Sequence, residues 1–300
     1  KPDPDTPWVR PFLGWTETVI LLGSIFALYA VFVVIQLQYL FGGQANITSL
    51  GYTYAEYARR GFNELVTVAI MTLGIYLLLA TISRRQTQNR QRLFSILSTL
   101  VFGMVMVMMI SAWMRQALYE RAYGFTQVRT YTQFFIPWLG ALLAGVVILE
   151  VVGKRGWVAL AMLILCYGYT FTLAAVNVDG YIARQNIQRT AAGKDLDAVY
   201  LAQLSDDAVP VLIKMIRSPD LPPKPRTLLA VDLACRAALR TTNDHQPWQS
   251  HHFSRAWAGR LLIEKADLWE GFMPQRDESG WLYVQRDGER YDCLQYLAFD

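Results

Sequence analysis

Residues 53–83 read TYAEYARRGFNELVTVAIMTLGIYLLLATIS. Thr53, followed three residues later by Glu56, is a capping box and marks a helix start. Glu56–Arg60 and Arg60–Glu64 are i,i+4 pairs of opposite charge on one helix face. From Leu65 to Ser83 the run carries no charge at all. That is close to the ~20 residues a helix needs to cross a hydrocarbon core. The stretch therefore predicts a polar juxtamembrane helix that continues into a span, with Asn63 and Glu64 at its mouth.

Four further apolar windows fall at 18–41, 93–113, 131–152 and 157–176. The 300-residue chain is 53% hydrophobic with a mean hydropathy of +0.21. The expectation is an all-α membrane protein with about five transmembrane helices over residues 1–176. A small, mostly helical polar C-terminal domain over 177–300 follows, ending in a β-hairpin. Residues 1–175 hold 13 Lys/Arg against 7 Asp/Glu, so the net basicity belongs to the membrane part. It suits lipid headgroups; no basic stripe on a soluble face points to nucleic acid.

Arg84, Arg85, Arg90 and Arg92 crowd one short loop without an acid, which belongs on the cytoplasmic side, as does Lys154-Arg155. Alternation then sends the 42–61 loop, the 114–130 loop and the C-terminal domain outside a cell membrane. Lys1 is not Met and no signal peptide is visible, which leaves further upstream spans open. Met104, Met106, Met108 and Met109 in the third span read as adaptable packing. Cys166 reads as a small buried side chain. Cys235 and Cys293 leave one disulfide open without specifying it.

The third helix keeps helical spacing past the membrane through Arg115 and Tyr119 until Gly124 stops it, and Thr126 caps the fourth, which contains Pro137. In the tail, Asp179 is expected to cap a helix, and short helices are expected at 195–204 and 206–217, the second capped by Ser205. A proline-rich linker is expected at 218–225, then helices at 226–241 and 252–265. Strands 281–285 and 290–295 flank Arg286-Asp287-Gly288-Glu289, whose Asp-Gly pair signals a tight turn. Arg226, Arg236, Arg240, Arg255 and Arg260, interleaved with Asp232 and Glu264, read as exposed faces.

QYLFGG (38–43), YAEYARRGFNELVTVA (54–69), SAWMRQALYERAYGFTQVR (111–129), and NVDGYIARQNIQR with LDAVYLAQLSDDAVP (177–210) together resemble a bacterial multi-pass membrane family of unknown function, domain of unknown function number 4173. The resemblance covers about residues 30–215. It implies packed spanning helices and extra helices upstream, and brings no activity, cofactor or catalytic residue.

Alternating spans bring Gln36, Gln38, Arg60, Asn63, Glu64, Arg115, Tyr119, Arg129, Asp179 and Arg184 to one membrane side. A carboxylate or guanidinium there is costly unless paired. We therefore expect Glu64 to be held by Arg115 or Arg60, with Tyr119 donating a hydrogen bond. No nucleotide-binding, nucleophile-elbow or metal-ligand pattern occurs, and His245, His251 and His252 fit no metal spacing. No cofactor is expected. The leading expectation is a non-catalytic membrane subunit, scaffold or regulator that works with the bilayer and with other membrane-protein subunits. A transporter or lipid sensor with an anionic-ligand pocket at the Arg/Glu cluster is the second reading. A membrane enzyme on lipid-linked substrates is the third.

Overall fold

The computed structural model describes residues 11–41, 62–84, 87–191, 193–219, 221–242 and 253–293, with the side chains of 36–41, 62–64, 155, 191 and 241–242 left undescribed. The capping box at Thr53, Arg60 and the three histidines fall outside these residues. Five helices among them are long and apolar enough to cross a membrane. They are α1 (Trp15–Phe41), α2 (Phe62–Ile82), α3 (Gln88–Tyr123), α4 (Gln127–Val151) and α5 (Val158–Val176). The chain forms two compact units: residues 1–123 with 131–173, and residues 124–130 with 174–300.

In the first unit, polar contacts set the order of the helices. Gly14 caps α1, and the Glu17 carboxylate accepts the Gly14 N–H. The Thr18 hydroxyl bonds the Gly14 carbonyl at 2.9 Å and Ser83 Oγ at 3.0 Å. Leu13 N–H donates to the Ile82 carbonyl and Arg84 N–H to the Leu13 carbonyl, both at 3.1 Å. The start of α1 is thus stitched to the end of α2, and Tyr29 meets Thr72 at 2.7 Å farther along. Tyr76 of α2 packs on Phe94 and Phe102 of α3. Ser95, early in α3, meets Glu150, late in α4. Tyr169, late in α5, donates to the carbonyl of Tyr131, early in α4, at 3.2 Å. Neighbouring spans therefore run antiparallel, and the third helix outruns its apolar window to end at Gly124, φ +88°.

Leu65, Phe94, Phe102, Met108 and Leu143 form the fully buried centre. Met108 and Met109 are buried and Met104 and Met106 pack against this core, so the methionines act as packing. Cys166 is exposed on α5, against expectation; a helix with lipid on most of its surface leaves a small thiol on the outside. Pro137 sits within a continuous α4. Gly168 lets α5 approach α4: a Cβ there would lie 2.3 Å from the Trp138 ring.

The second unit contains α6 (Val178–Ala191), α7 (Ala198–Ala202), α8 (Val209–Ile216), α9 (Pro223–Thr242) and α10 (Phe253–Glu264). Ile182, Leu201, Leu212, Leu229, Leu233 and Leu262 are fully buried. Asn177, not Asp179, caps α6: its side chain accepts the Gly180 N–H at 2.9 Å. Ser205 accepts from Asp207 N–H and starts a short 3₁₀ turn before α8. The proline linker is shorter than expected. Pro223 and Pro225 lie in the first turn of α9, where a missing N–H costs nothing.

The sheet has three antiparallel strands rather than two: β1 (Pro274–Arg276), β2 (Leu282–Arg286) and β3 (Glu289–Asp292), in that order. β1 is three residues long with a proline at its start, too short to show alternation. Asp287 and Gly288 take φ of 51° and 82°, the left-handed pair that a two-residue hairpin turn requires. Cys235 of α9 and Cys293, just past β3, form a disulfide with Cα atoms 5.6 Å apart, beside Leu282 and Val284.

Gly168→Leu should force Trp138 from its seat and destabilise the spans by about 1–3 kcal/mol. A thermal melt in detergent reads this as a lower midpoint, restored in part by adding Trp138→Ala; unchanged melting would refute the close packing.

Candidate functional site

The expected polar cluster divides between the two units. In the first, Asn63 and Glu64 occupy the first turn of α2, while Arg115 and Tyr119 lie late in α3. Antiparallel α2 and α3 place these four positions at the same end of the pair. Glu64 and Asn63 have undescribed side chains, so the proposed pairing with Arg115 lies outside the described contacts. Arg115 is buried at 7% exposure, and the Tyr119 ring packs on Tyr123 at 5.0 Å. Glu120, one residue on, is fully buried and lies against the Gln133 side-chain amide of α4.

The second unit holds Arg129, Asp179 and Arg184. The focus is the turn that joins α3 to α4. Asn186 grips the Phe125 peptide with both halves of its amide: Oδ1 accepts Phe125 N–H and Nδ2 donates to the Phe125 carbonyl, each at 2.9 Å. Asp179 spans two segments, accepting from Gln127 Nε2 and from Ser205 N–H at 2.8 Å each. Tyr200 of α7 accepts the Gln127 N–H at 2.8 Å, and Arg129 donates to the Gly124 carbonyl at 2.8 Å. Phe125 packs edge-on against Tyr181.

This grip requires Gly124. Its positive φ suits glycine, and a Cβ would lie 2.6 Å from Arg189 Nη1 and 2.9 Å from Asn186 Oδ1. Burial, and then the charge of Arg129, lower the Arg189 guanidinium from its ordinary pKa. Arg184 stands apart: it is exposed, with Nε on the carbonyl of Gly180, one turn back along α6, at 3.2 Å. Asn186 was not among the expected site residues. Its signal was periodicity, since Asp179, Ile182, Ala183 and Asn186 share one buried face of α6.

A second polar centre contradicts the reading of α9 as an exposed charged face. Asp232 and Arg236 are both buried. Arg236 Nε bonds both Asp232 oxygens at 3.0 and 3.1 Å, and its Nη2 donates to the carbonyls of Ala202 and Leu204 at 2.8 and 2.6 Å. Asp206 joins through Arg236 Nη1 at 3.4 Å and through Arg240. Burial pushes the Asp232 carboxyl up to about 7, while Arg236 pulls it down. Among the described residues no group of three or more His, Cys, Asp or Glu is arranged to hold a metal ion.

Antiparallel apolar spans, and a C-terminal unit that has drawn the turn between two of them into its own hydrogen-bond network, define a multi-pass helical membrane protein. The chain belongs to the family described as a domain of unknown function, DUF4153, whose sequence model matches residues 1–215. The number differs from the 4173 of the sequence resemblance; the class of family is the same. No curated protein and no solved structure matches the chain significantly.

The raised Asp232 carboxyl has a signed consequence. Between its ordinary value of 3.8 and about 7, the folded protein keeps a proton that the unfolded chain releases. This group's contribution to stability therefore falls as pH rises through that window and is level above it. Chemical denaturation at a series of pH values should show the fall in the native protein and its loss in Asp232→Asn; an identical pH profile in the two would contradict it.

Proposed function

We propose that this protein is a non-catalytic membrane scaffold or subunit whose C-terminal domain docks another membrane-protein subunit. The observation that carries the reading is how the polar residues are used. Both oxygens of Asp179 and both ends of the Asn186 amide are engaged with the 124–127 turn and with Ser205. Groups engaged in this way fix geometry; they hold a surface in place for something else to meet. The surface is available on α10, where Phe253, Trp257 and Ile263 are exposed on one side. Trp281 and Met273 of the sheet region are exposed as well. Exposed aromatic and aliphatic groups in such numbers mark interaction surfaces.

The same domain bears on orientation. A disulfide persists in an oxidising compartment. The Cys235–Cys293 pair thus supports an extracytoplasmic C-terminal domain. With five antiparallel spans, that puts the arginine-rich 84–92 loop on the cytoplasmic side, in line with the positive-inside tendency.

Native mass spectrometry of the protein released from its own membranes in mild detergent should give a mass above that of its own denatured chain, with a second membrane protein identified in the complex. A Phe253→Ser, Ile263→Ser double variant should return to the mass of the single chain. A wild-type mass of one chain alone would overturn the subunit reading. For orientation, the acid-trapped, denatured protein should be labelled by maleimide at Cys166 before reduction, and at Cys235 and Cys293 only after it. Labelling of Cys235 and Cys293 without reduction would refute the oxidising-side assignment.

A further inference from the structure

The fifth span, α5, turns one side to α4 and the other outward. On the α4 side Gly168 seats the Trp138 ring, Tyr169 donates to the Tyr131 carbonyl at 3.2 Å, and Phe135 packs edge-on against Tyr169. On the outer side Leu160, Leu163, Ile164, Tyr167 and Phe171 recur at helical spacing, and all five are exposed. Tyr167 stands at the middle of this face. It is 69% exposed and lies nine residues from Val158 at one end of the helix and nine from Val176 at the other. At 1.5 Å per residue that is about 13–14 Å from each end. Trp157, exposed just before the helix, suits the headgroup layer at one of those ends. A tyrosine side chain at mid-span cannot reach either headgroup layer, so the Tyr167 hydroxyl lies in hydrocarbon.

The other hydroxyls of α5 are satisfied within the chain. Thr170 donates to the Cys166 carbonyl at 3.0 Å and Thr172 to the Gly168 carbonyl at 2.9 Å, besides Tyr169 on Tyr131. Tyr29 and Tyr76, deep in other spans, meet Thr72 and Glu150. The Tyr167 hydroxyl has no hydrogen-bond partner among the described residues. A hydroxyl held in a medium that cannot hydrogen-bond is costly, and lipid tails offer it nothing. Shape narrows the occupant further. Spanning helices approach closely where one of them presents small residues. A second copy docked through this face, related by a two-fold axis along the membrane normal, would set Tyr167 and Phe171 against their own counterparts. Ring would meet ring along the line of closest approach and hold the two helices apart. Small residues opposite Tyr167 and Phe171 would let the rings seat, and among small residues serine and threonine also carry a hydrogen-bonding group.

We infer that the outer face of α5 receives a spanning helix of the partner subunit, one that presents small residues and a serine or threonine hydroxyl at mid-membrane to meet Tyr167. The inference rests on the subunit reading and adds to it where in the bilayer the partner lies. Tyr167 supplies the depth register of the contact, and the aliphatic residues around it supply the packing.

Photo-crosslinking in the protein's own membranes tests this, with Tyr167→p-benzoylphenylalanine as the probe. Illumination should join position 167 to an apolar spanning segment of the same membrane protein found in the native complex, and peptide mapping should place the adduct among small residues next to a serine or threonine. Adducts to lipid alone, or to a second copy of this chain, overturn the inference. If the native complex still forms while position 167 labels only lipid, the subunit reading stands and the α5 contact falls; if no complex forms either, both fall. Tyr167→Phe, which removes one exposed oxygen and should melt like the wild type, should weaken recovery of the complex on dilution by about threefold, the worth of an average hydrogen bond between spans. Unchanged recovery in Tyr167→Phe would exclude the hydroxyl contact.

Discussion

A polar side chain in a hydrocarbon environment must find its partner inside the protein, because lipid offers none. That constraint organises the span unit. Its apolar surfaces are interchangeable, since a leucine gains little by exchanging lipid for another leucine. What distinguishes one arrangement from a neighbouring register is the small set of hydroxyl, carboxyl and backbone contacts: Thr18 with Ser83, Tyr29 with Thr72, and Tyr76 and Ser95 with Glu150. Each joins residues more than forty positions apart, and sliding one helix by a turn would break them. Gly168 under Trp138 adds a steric counterpart between α4 and α5.

The C-terminal unit solves a related problem by other means. A turn such as 124–127 exposes backbone N–H and C=O groups that need partners. Asn186, Tyr200 and the neighbouring Arg129 supply them from side chains. Asp179 then ties the Gln127 side chain to the backbone of Ser205, so the turn and the start of the short helices are held by one carboxylate. This is why a segment lying between two spans belongs to the same compact unit as residues far downstream.

The spans were legible because length and hydropathy are properties of the chain itself. The Asp-Gly hairpin and the stop at Gly124 were legible because a positive φ selects so few residues. The polar partnerships were not. Expecting charge to meet charge works where both partners are side chains, but Asn186 binds a peptide and Asp179 binds an amide and an N–H. Burial is the other hidden quantity. Asp232 and Arg236 stand four apart and look like an ordinary surface pair. Only the folding of α9 against the 202–206 segment takes them out of water. Asp179 looked like a cap because acids favour helix starts, yet Asn177, at φ 52°, does the capping and frees Asp179 for longer reach.

The limits of the family match sharpen the point about burial. Among the described contacts, the residues that grip the 124–127 turn lie within 1–215, whereas α9, α10, the sheet and the disulfide lie beyond it. Among the contacts between the two parts, Arg236 brings a buried guanidinium to the carbonyls of Ala202 and Leu204 and to Asp206, all within the matched region. A buried guanidinium left without acceptors is strongly unfavourable, so the seat on those carbonyls favours the docked form of the downstream part. The Cys235–Cys293 bond then ties the sheet to the helix that carries Arg236, one residue away along α9. The downstream region is therefore held to the family part by Arg236 and by Arg240 and Arg255 at Asp206, besides its buried leucines, and is closed on itself by one covalent bond. That division leaves the outer face of α10 free to differ without disturbing the turn that the family part holds.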